Sequence, residues 1–207
     1  MDNLIKRILS SIILLPLLFY FIIEGSLILL FFTIICFLIA CYEWHMMTKN
    51  IYHTILGYIF LCISFLTFYK ISFEIYEVFL IITICVSTDI GGFAFGKILK
   101  GPKLTKISPN KTYAGMIGGY ILSIISLFIF VNLINKDLSY LHFFTIIFLI
   151  STVSQLGDII VSYFKRLSKI KNTGRLIPGH GGLLDRIDGM IFAFPIYYIF
   201  TLIVDLT

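Results

Sequence analysis

Charged residues are scarce in this 207-residue chain, since Asp, Glu, Lys and Arg together make up 13% of it. Soluble domains carry roughly 25% charge. Hydrophobic residues account for 59% of the sequence, and the mean hydropathy is +1.01. The composition therefore excludes an ordinary soluble domain. Nucleic-acid binding is also disfavoured, because the basic residues stand beside apolar runs and not in an aromatic-studded soluble domain.

Cysteine is also rare, and its spacing excludes a typical zinc site. The four cysteines lie inside apolar runs without close CxxC spacing, which indicates small buried hydrophobes. The alternation of a membrane β-barrel is missing as well. Long runs of Ile, Leu and Phe predict an all-α transmembrane helix bundle instead. Without a low-complexity linker or internal repeat, residues 1–207 are expected to form a single integral membrane domain.

The apolar runs predict about seven membrane spans, because each span needs ~20 apolar residues. The first run follows two cations, as in a signal peptide, but it is long and lacks a small-residue cleavage site, so we expect a retained span. Residues 1–84 hold N-terminal spans, 85–190 the catalytic segment and 187–207 the last span. The expected spans lie near 8–24, 26–42, 51–69, 73–95, 113–134, 141–164 and 187–206.

Two loops, 96–112 and 165–186, hold most of the cations. The positive-inside rule places both loops in the cytoplasm. Counting spans from these loops puts the N-terminus in the cytoplasm and the C-terminus outside. We therefore expect an integral protein of an inner (cell) membrane whose two basic loops share the cytoplasmic face.

Two acids are predicted to lie below this basic face. Asp158 precedes Lys165 by seven residues and Asp89 precedes Lys97 by eight, which gives depths of ~10 and ~12 Å for a helix. An intramembrane carboxylate is costly unless it is paired or binds a metal, so a functional role is the first hypothesis. A structural ion pair with a neighbouring Lys or Arg is the alternative.

Polar residues are concentrated in "IPGHGGLLDRIDG", residues 177–189. Asp185 and Asp188 would share one face if the last span starts near Leu184, with Arg186 turned elsewhere. They could also be favourable acids at a helix N-terminus.

The glycines of this stretch form either a simple turn or a nest whose N–H groups converge on an anion. His180 is a candidate base, phosphate donor or turn residue. Carboxylates for Mg²⁺ and cations for phosphates suit phosphoryl or nucleotidyl transfer.

The stretch "SYFKRLSKIKNTGRLIPGHGGLLDRID" resembles the signature of the phosphatidate cytidylyltransferase (CDP-diacylglycerol synthase) family. "GD" at 157–158 and "ISPNKTYAG" at 107–115 also fit the family's pattern, so the resemblance covers roughly residues 85–190. The signature positions that match are Ser162, Lys165, Arg166, Lys171, Gly174, Pro178, His180, Gly181, Gly182, Asp185, Arg186 and Asp188.

The resemblance implies that CTP and phosphatidate give CDP-diacylglycerol and pyrophosphate in membrane phospholipid synthesis. It makes Asp158 and Asp185 the main Mg²⁺ ligands, with Asp188 and Asp89 in support. The implied catalytic set is Asp158, Asp185, Asp188, Lys165, Arg166 and His180. The implied substrate-binding set is Ser108, Lys111, Thr112, Ser162, Lys171, Gly181, Gly182 and Arg186.

Two positions depart from the family's pattern. Asn172 stands where the pattern has aspartate, and Val161 where glutamate is common. Asn172 keeps an oxygen but lacks the charge, so we exclude it from the metal site. A CTP-dependent polyprenol kinase and a cytidylyltransferase for another lipid phosphate are the alternatives. A small transporter is a weaker one, because the acids cluster near one face. A homodimer is left open.

Overall fold

The computed structural model describes residues 16–105, 107–109, 111–135, 139–174, 176 and 181–205. Helices dominate these residues, which confirms the all-α prediction, and an isolated antiparallel β-bridge joins Lys103 to Thr112. The helices are α1 (16–24), α2 (Ser26–Met47), α3 (Ile51–Ile71), α4 (Ile75–Leu99), α5 (Tyr113–Ile134), α6 (Tyr140–Leu167), α7 (Leu184–Ile187) and α8 (Met190–Asp205).

Within the part of the chain that the structure describes, five helices, α2 to α6, are long and apolar enough to cross a membrane. Large apolar side chains are exposed on them, among them Leu66, Phe128 and Phe148, as expected of helices whose outer faces contact lipid. The count of seven spans stays a prediction, because residues 8–15 of the first span lie outside the described residues. The last helix, α8, has 16 residues and contains Pro195, so it is only about 24 Å long.

The condition under which Asp185 and Asp188 would share one helix face, a last span that starts near Leu184, is not met. The short helix α7 covers Leu184–Ile187, a turn follows, and α8 begins at Met190. Gly189 supplies the physical reason for the break, because glycine is a poor helix former. A Cβ at Gly189 would also overlap the hydroxyl of Ser154 and come within 3.2 Å of its carbonyl oxygen. The chain is therefore held close to α6 at this point.

The fold divides into two compact units. The first comprises 1–75 and 164–188, and the second comprises 76–163 and 189–207. The catalytic segment predicted over 85–190 is thus shared between them. In the first unit, the Trp44 ring packs edge-on against Phe164, with centroids 4.8 Å apart, and its indole N–H donates to the His53 carbonyl at 3.1 Å. Gly57 leaves the space that this ring occupies.

The second unit is fixed by small and polar residues between its helices. A Cβ at Gly91 on α4 would collide with the Gly118 carbonyl on α5, so these backbones approach closely. The Thr88 hydroxyl lies 2.8 Å from that of Ser123 and donates to that of Ser151 at 3.0 Å. Small residues and interhelical hydroxyl contacts are typical of membrane helix packing. They hold α4, α5 and α6 in register.

Candidate active site

Asp185 is the most completely bound of the predicted site acids. Its Oδ1 accepts a hydrogen bond from Lys165 Nζ at 2.8 Å. Its Oδ2 accepts from the backbone N–H groups of Thr173 at 2.8 Å and Gly182 at 3.1 Å. Only 6% of the side chain is exposed. Two backbone donors and one ammonium therefore fix the carboxylate within the first unit.

Asp188 faces the same cation. Its Oδ2 lies 3.9 Å from Lys165 Nζ, and both side chains are 12% exposed. Lys165, in the last turn of α6, thus stands between the carboxylates of Asp185 and Asp188. The signature brings two acids and one ammonium together at a single point.

Glu43, on α2, is a site residue that the sequence reasoning missed. Its Oε1 accepts from the Leu183 N–H at 2.8 Å, and its Oε2 accepts from the Leu184 N–H at 2.9 Å and the Thr173 hydroxyl at 2.8 Å. The side chain is buried. An acid inside an apolar span is by default a functional candidate, but Glu43 lies one residue beyond the expected span 26–42, so this rule was applied only to Asp89 and Asp158.

The glycines of the signature border these carboxylates. A Cβ at Gly174 would lie 2.7 Å from Glu43 Oε1, and one at Gly181 would lie 2.6 Å from Asp185 Oδ2. A Cβ at Gly182 would overlap both Glu43 and the Thr173 hydroxyl. Gly181 also has φ +95°, which favours glycine. Backbone N–H groups do converge on anions here, and the anions are the chain's own Glu43 and Asp185.

The remaining cations of the signature that the structure describes in the first unit are exposed. They are Arg166, Lys171 and Arg186. Asn172 is exposed and borders Gly181. A Cβ added to Gly181 would lie 3.1 Å from the Cβ of Asn172. The predicted residues His180 and Pro178 lie outside the described residues.

Asp158 belongs to the second unit, where it forms an ion pair with Lys111. Lys111 Nζ also donates to the Gln155 carbonyl at 3.4 Å. The side chains of Lys111 and Asp158 are 24% and 28% exposed. The ion-pair alternative considered for Asp158 is therefore present. Asp89 lies exposed on α4, and Ser162 is half-buried on α6.

The loop before α5 holds Lys111 in place. Thr112 caps this helix, because its hydroxyl accepts from the Gly115 N–H at 3.0 Å. The Lys111 N–H donates to the Ser108 carbonyl at 3.0 Å, and the Leu104 N–H donates to the Lys111 carbonyl at 2.7 Å. The candidate phosphate-binding residues of this loop thus also have structural contacts.

The carboxylate oxygens near Lys165 are of the kind that bind a hard divalent cation. An ionised carboxylate offers about four lone-pair sites, and the hydrogen bonds to Asp185 use three. Mg²⁺ usually takes one or two protein carboxylates and completes its shell with waters and substrate phosphates. Asp185 and Asp188 match that pattern. Among the described residues, no group of three or more His, Cys, Asp or Glu side chains is arranged to hold a metal.

Residues 49–204 match the model of the cytidylyltransferase family. A phosphatidate cytidylyltransferase of Rickettsia typhi is 32% identical over 209 residues, covering 95% of this chain and 91% of that protein. The enzyme of the same name from Rickettsia bellii is 35% identical over 95% of this chain and 90% of the relative. For the Bacillus subtilis enzyme the identity is 39%, and the alignment spans 54% of this chain and 42% of the relative.

Proposed function

The chain belongs to the cytidylyltransferase family, and we propose that it transfers the cytidylyl group of CTP to phosphatidate. The products are CDP-diacylglycerol and pyrophosphate, so the protein is an enzyme of membrane phospholipid biosynthesis. The observation that carries the proposal is the cluster of Asp185, Asp188 and Lys165. It lies within the matched residues and supplies what nucleotidyl transfer uses, namely carboxylates for a metal and a cation for phosphates.

The proposed chemistry follows from the charges at the site. A phosphate oxygen of phosphatidate attacks the α-phosphorus of CTP, and pyrophosphate leaves from the opposite side. The phosphate monoester is already nucleophilic, so no strong general base is needed. Lys165 neutralises developing phosphate charge. The exposed Arg166, Lys171 and Arg186 are proposed to bind the lipid phosphate and the triphosphate.

Mg²⁺ is the proposed cofactor. Asp185 would hold it with support from Asp188, because both carboxylates approach Lys165 Nζ, at 2.8 and 3.9 Å, and so lie near each other. The sequence signature alone assigns Asp158 as a further ligand and Asp89 as a supporting one. Bound Mg²⁺ supplies charge neutralisation at the phosphates. Ser108, Lys111 and Thr112 of the other basic loop, with Ser162, Gly181 and Gly182, stay predicted substrate-binding residues, and His180 stays a predicted catalytic residue.

Labelled CTP separates this function from a CTP-dependent lipid kinase. Purified protein is incubated with phosphatidate, Mg²⁺ and CTP labelled at the α- or the γ-phosphate. We expect α-label in the lipid and γ-label in pyrophosphate. Lipid labelled from the γ-position would contradict the proposal. Replacing phosphatidate with polyprenol or another lipid phosphate identifies the acceptor, and a clear preference for one of these would contradict the substrate assignment.

The apolar helices make this an integral membrane protein, and we propose that both basic loops face the cytoplasm of an inner membrane. Support comes from the positive-inside rule. In a variant without native cysteines, Lys103→Cys should react only with reagent on the cytoplasmic side and Thr207→Cys only with reagent outside. The reverse pattern would contradict the orientation. Association into a homodimer stays a prediction.

A further inference from the structure

Glu43 is a buried acid whose described partners are all hydrogen-bond donors of the signature region. They are the Leu183 N–H, the Leu184 N–H and the Thr173 hydroxyl, at 2.8 to 2.9 Å. A buried carboxylate is tolerated only when donors or a cation compensate its charge. Here backbone and hydroxyl donors do so, which ties α2 to residues far along the chain.

The start of α7 depends on this contact. Leu183 is the N-cap residue and its side chain makes no capping hydrogen bond. Glu43 accepts from the N–H groups of Leu183 and Leu184, which are the N-cap residue and the first residue of the helix. Gly174 and Gly182 lack the Cβ atoms that would displace Glu43.

Glu43 is connected to Asp185 through one residue. The Thr173 hydroxyl donates to Glu43, while its backbone N–H donates to Asp185 Oδ2. Gly182, whose N–H also donates to Asp185, directly precedes Leu183, whose N–H donates to Glu43. The two carboxylates thus bind the same two backbone segments, one at Thr173 and one at 182–184.

We propose that Glu43 is a positioning residue for cytidylyl transfer, fixing Thr173 and the start of α7 so that Asp185 and Asp188 face Lys165. The proposal rests on the proposed function for its catalytic readout. Glu43 touches neither substrate nor metal in this scheme. Replacing Glu43 should therefore change kcat and the Mg²⁺ requirement, and it should change the binding of phosphatidate less.

The main variant is Glu43→Gln, which keeps the side-chain length but turns one acceptor oxygen into a donor. Losing hydrogen bonds to a buried charge should lower kcat by about 10- to 100-fold. We expect the Mg²⁺ concentration for half-maximal activity to rise and the KM for phosphatidate to change less than about threefold, as expected when transition-state interactions alone are lost. The exposed Glu74 gives the matched control, and Glu74→Gln should behave as the parent.

A gentler pair of variants covers the case in which Glu43→Gln does not fold. Thr173→Val removes the hydroxyl that Glu43 accepts from, while Thr173→Ser keeps it. Valine should lower kcat by about tenfold and serine by less than about threefold, because only valine loses the charged hydrogen bond. Equal losses for both would show that packing matters and not the hydroxyl, which would overturn the proposal.

Hydrogen–deuterium exchange separates this proposal from the proposed function. In Glu43→Gln, amide protection should fall in the peptide covering 181–188 and stay unchanged in α5. Parent kcat and Mg²⁺ requirement in folded Glu43→Gln would overturn the positioning role, as would unchanged protection at 181–188. If the parent protein forms no CDP-diacylglycerol, the proposed function is overturned. The positioning role in that reaction is then overturned too, whatever the exchange data show about the contact between Glu43 and 181–188.

Discussion

Asp185 and Asp158 are assigned to the same metal by the sequence signature, yet the two units hold them differently. Asp185 is 6% exposed and accepts from two backbone N–H groups as well as from Lys165. Asp158 is 28% exposed and pairs with Lys111, itself 24% exposed. Backbone donors cannot move without refolding the loop, whereas a lysine side chain can change rotamer. The first acid is therefore preorganised and the second is adjustable.

The balance of positive and negative charge also differs between the contacts of Asp185 and those of Asp158. In the first unit Lys165 faces the two carboxylates of Asp185 and Asp188, so this trio carries excess negative charge. In the second unit the contact between Lys111 and Asp158 joins one charge of each sign. A buried excess of negative charge is costly by itself and favours binding of a cation. The proposed Mg²⁺ is therefore expected to depend more on the acids of the first unit.

Asp185→Asn should have the largest effect. Asp185 is the acceptor in all three of its described hydrogen bonds. In asparagine one carboxylate oxygen becomes an NH₂ group, which must then face a group that is itself a donor. We expect kcat to fall by about a thousandfold, since both the metal charge and the orientation of the site are lost. The free energy of unfolding should fall by about 1–3 kcal/mol, because buried donors lose their acceptor.

Turnover with α-labelled CTP and thermal unfolding in detergent measure the two effects, with Glu74→Gln as the control. Near-parent turnover in Asp185→Asn would contradict the role of Asp185. A loss of turnover with unchanged stability would contradict the view that its backbone contacts support the fold.

Asp158→Asn should separate activity from stability. Turnover should fall by about a hundredfold if the carboxylate serves the metal. The free energy of unfolding should fall less than in Asp185→Asn, because the contact described for Asp158 is a side-chain ion pair and not a pair of backbone hydrogen bonds. Lys111→Gln tests the same pair from the cation's side and should likewise destabilise less than Asp185→Asn. Destabilisation as large as in Asp185→Asn would remove the contrast between the units.

The sequence predicted those features that are encoded locally. The apolar runs gave the helices, and the spacing of Asp185 and Asp188 put two acids in one short segment. Glu43 was not found because its partners, two backbone N–H groups and the Thr173 hydroxyl, lie 130 to 141 residues away, which no local pattern records. The break between α7 and α8 was missed for a related reason. It depends on the close contact between Gly189 and Ser154, which arises only when the chain folds back on itself.

Asn172→Asp should have the smallest effect. Asn172 is exposed and borders Gly181, and the N–H of the next residue, Thr173, donates to Asp185. A carboxylate at 172 would add negative charge near the Asp185 cluster, but solvent screens exposed charges. We expect kcat to stay within about threefold and the Mg²⁺ concentration for half-maximal activity to fall by less than about threefold, since weak exposed interactions are worth under ~1 kcal/mol.

Asn135→Asp is the matched control, because Asn135 is an exposed asparagine of the second unit with left-handed backbone that aspartate tolerates. It should change neither quantity. Turnover and Mg²⁺ titration of both variants measure the difference. If Asn172→Asp created a second Mg²⁺-dependent phase, or changed turnover by more than about tenfold, position 172 would belong to the metal site. The preorganised cluster of the first unit would then be incomplete in this chain, and its contrast with Asp158 would reflect a missing carboxylate.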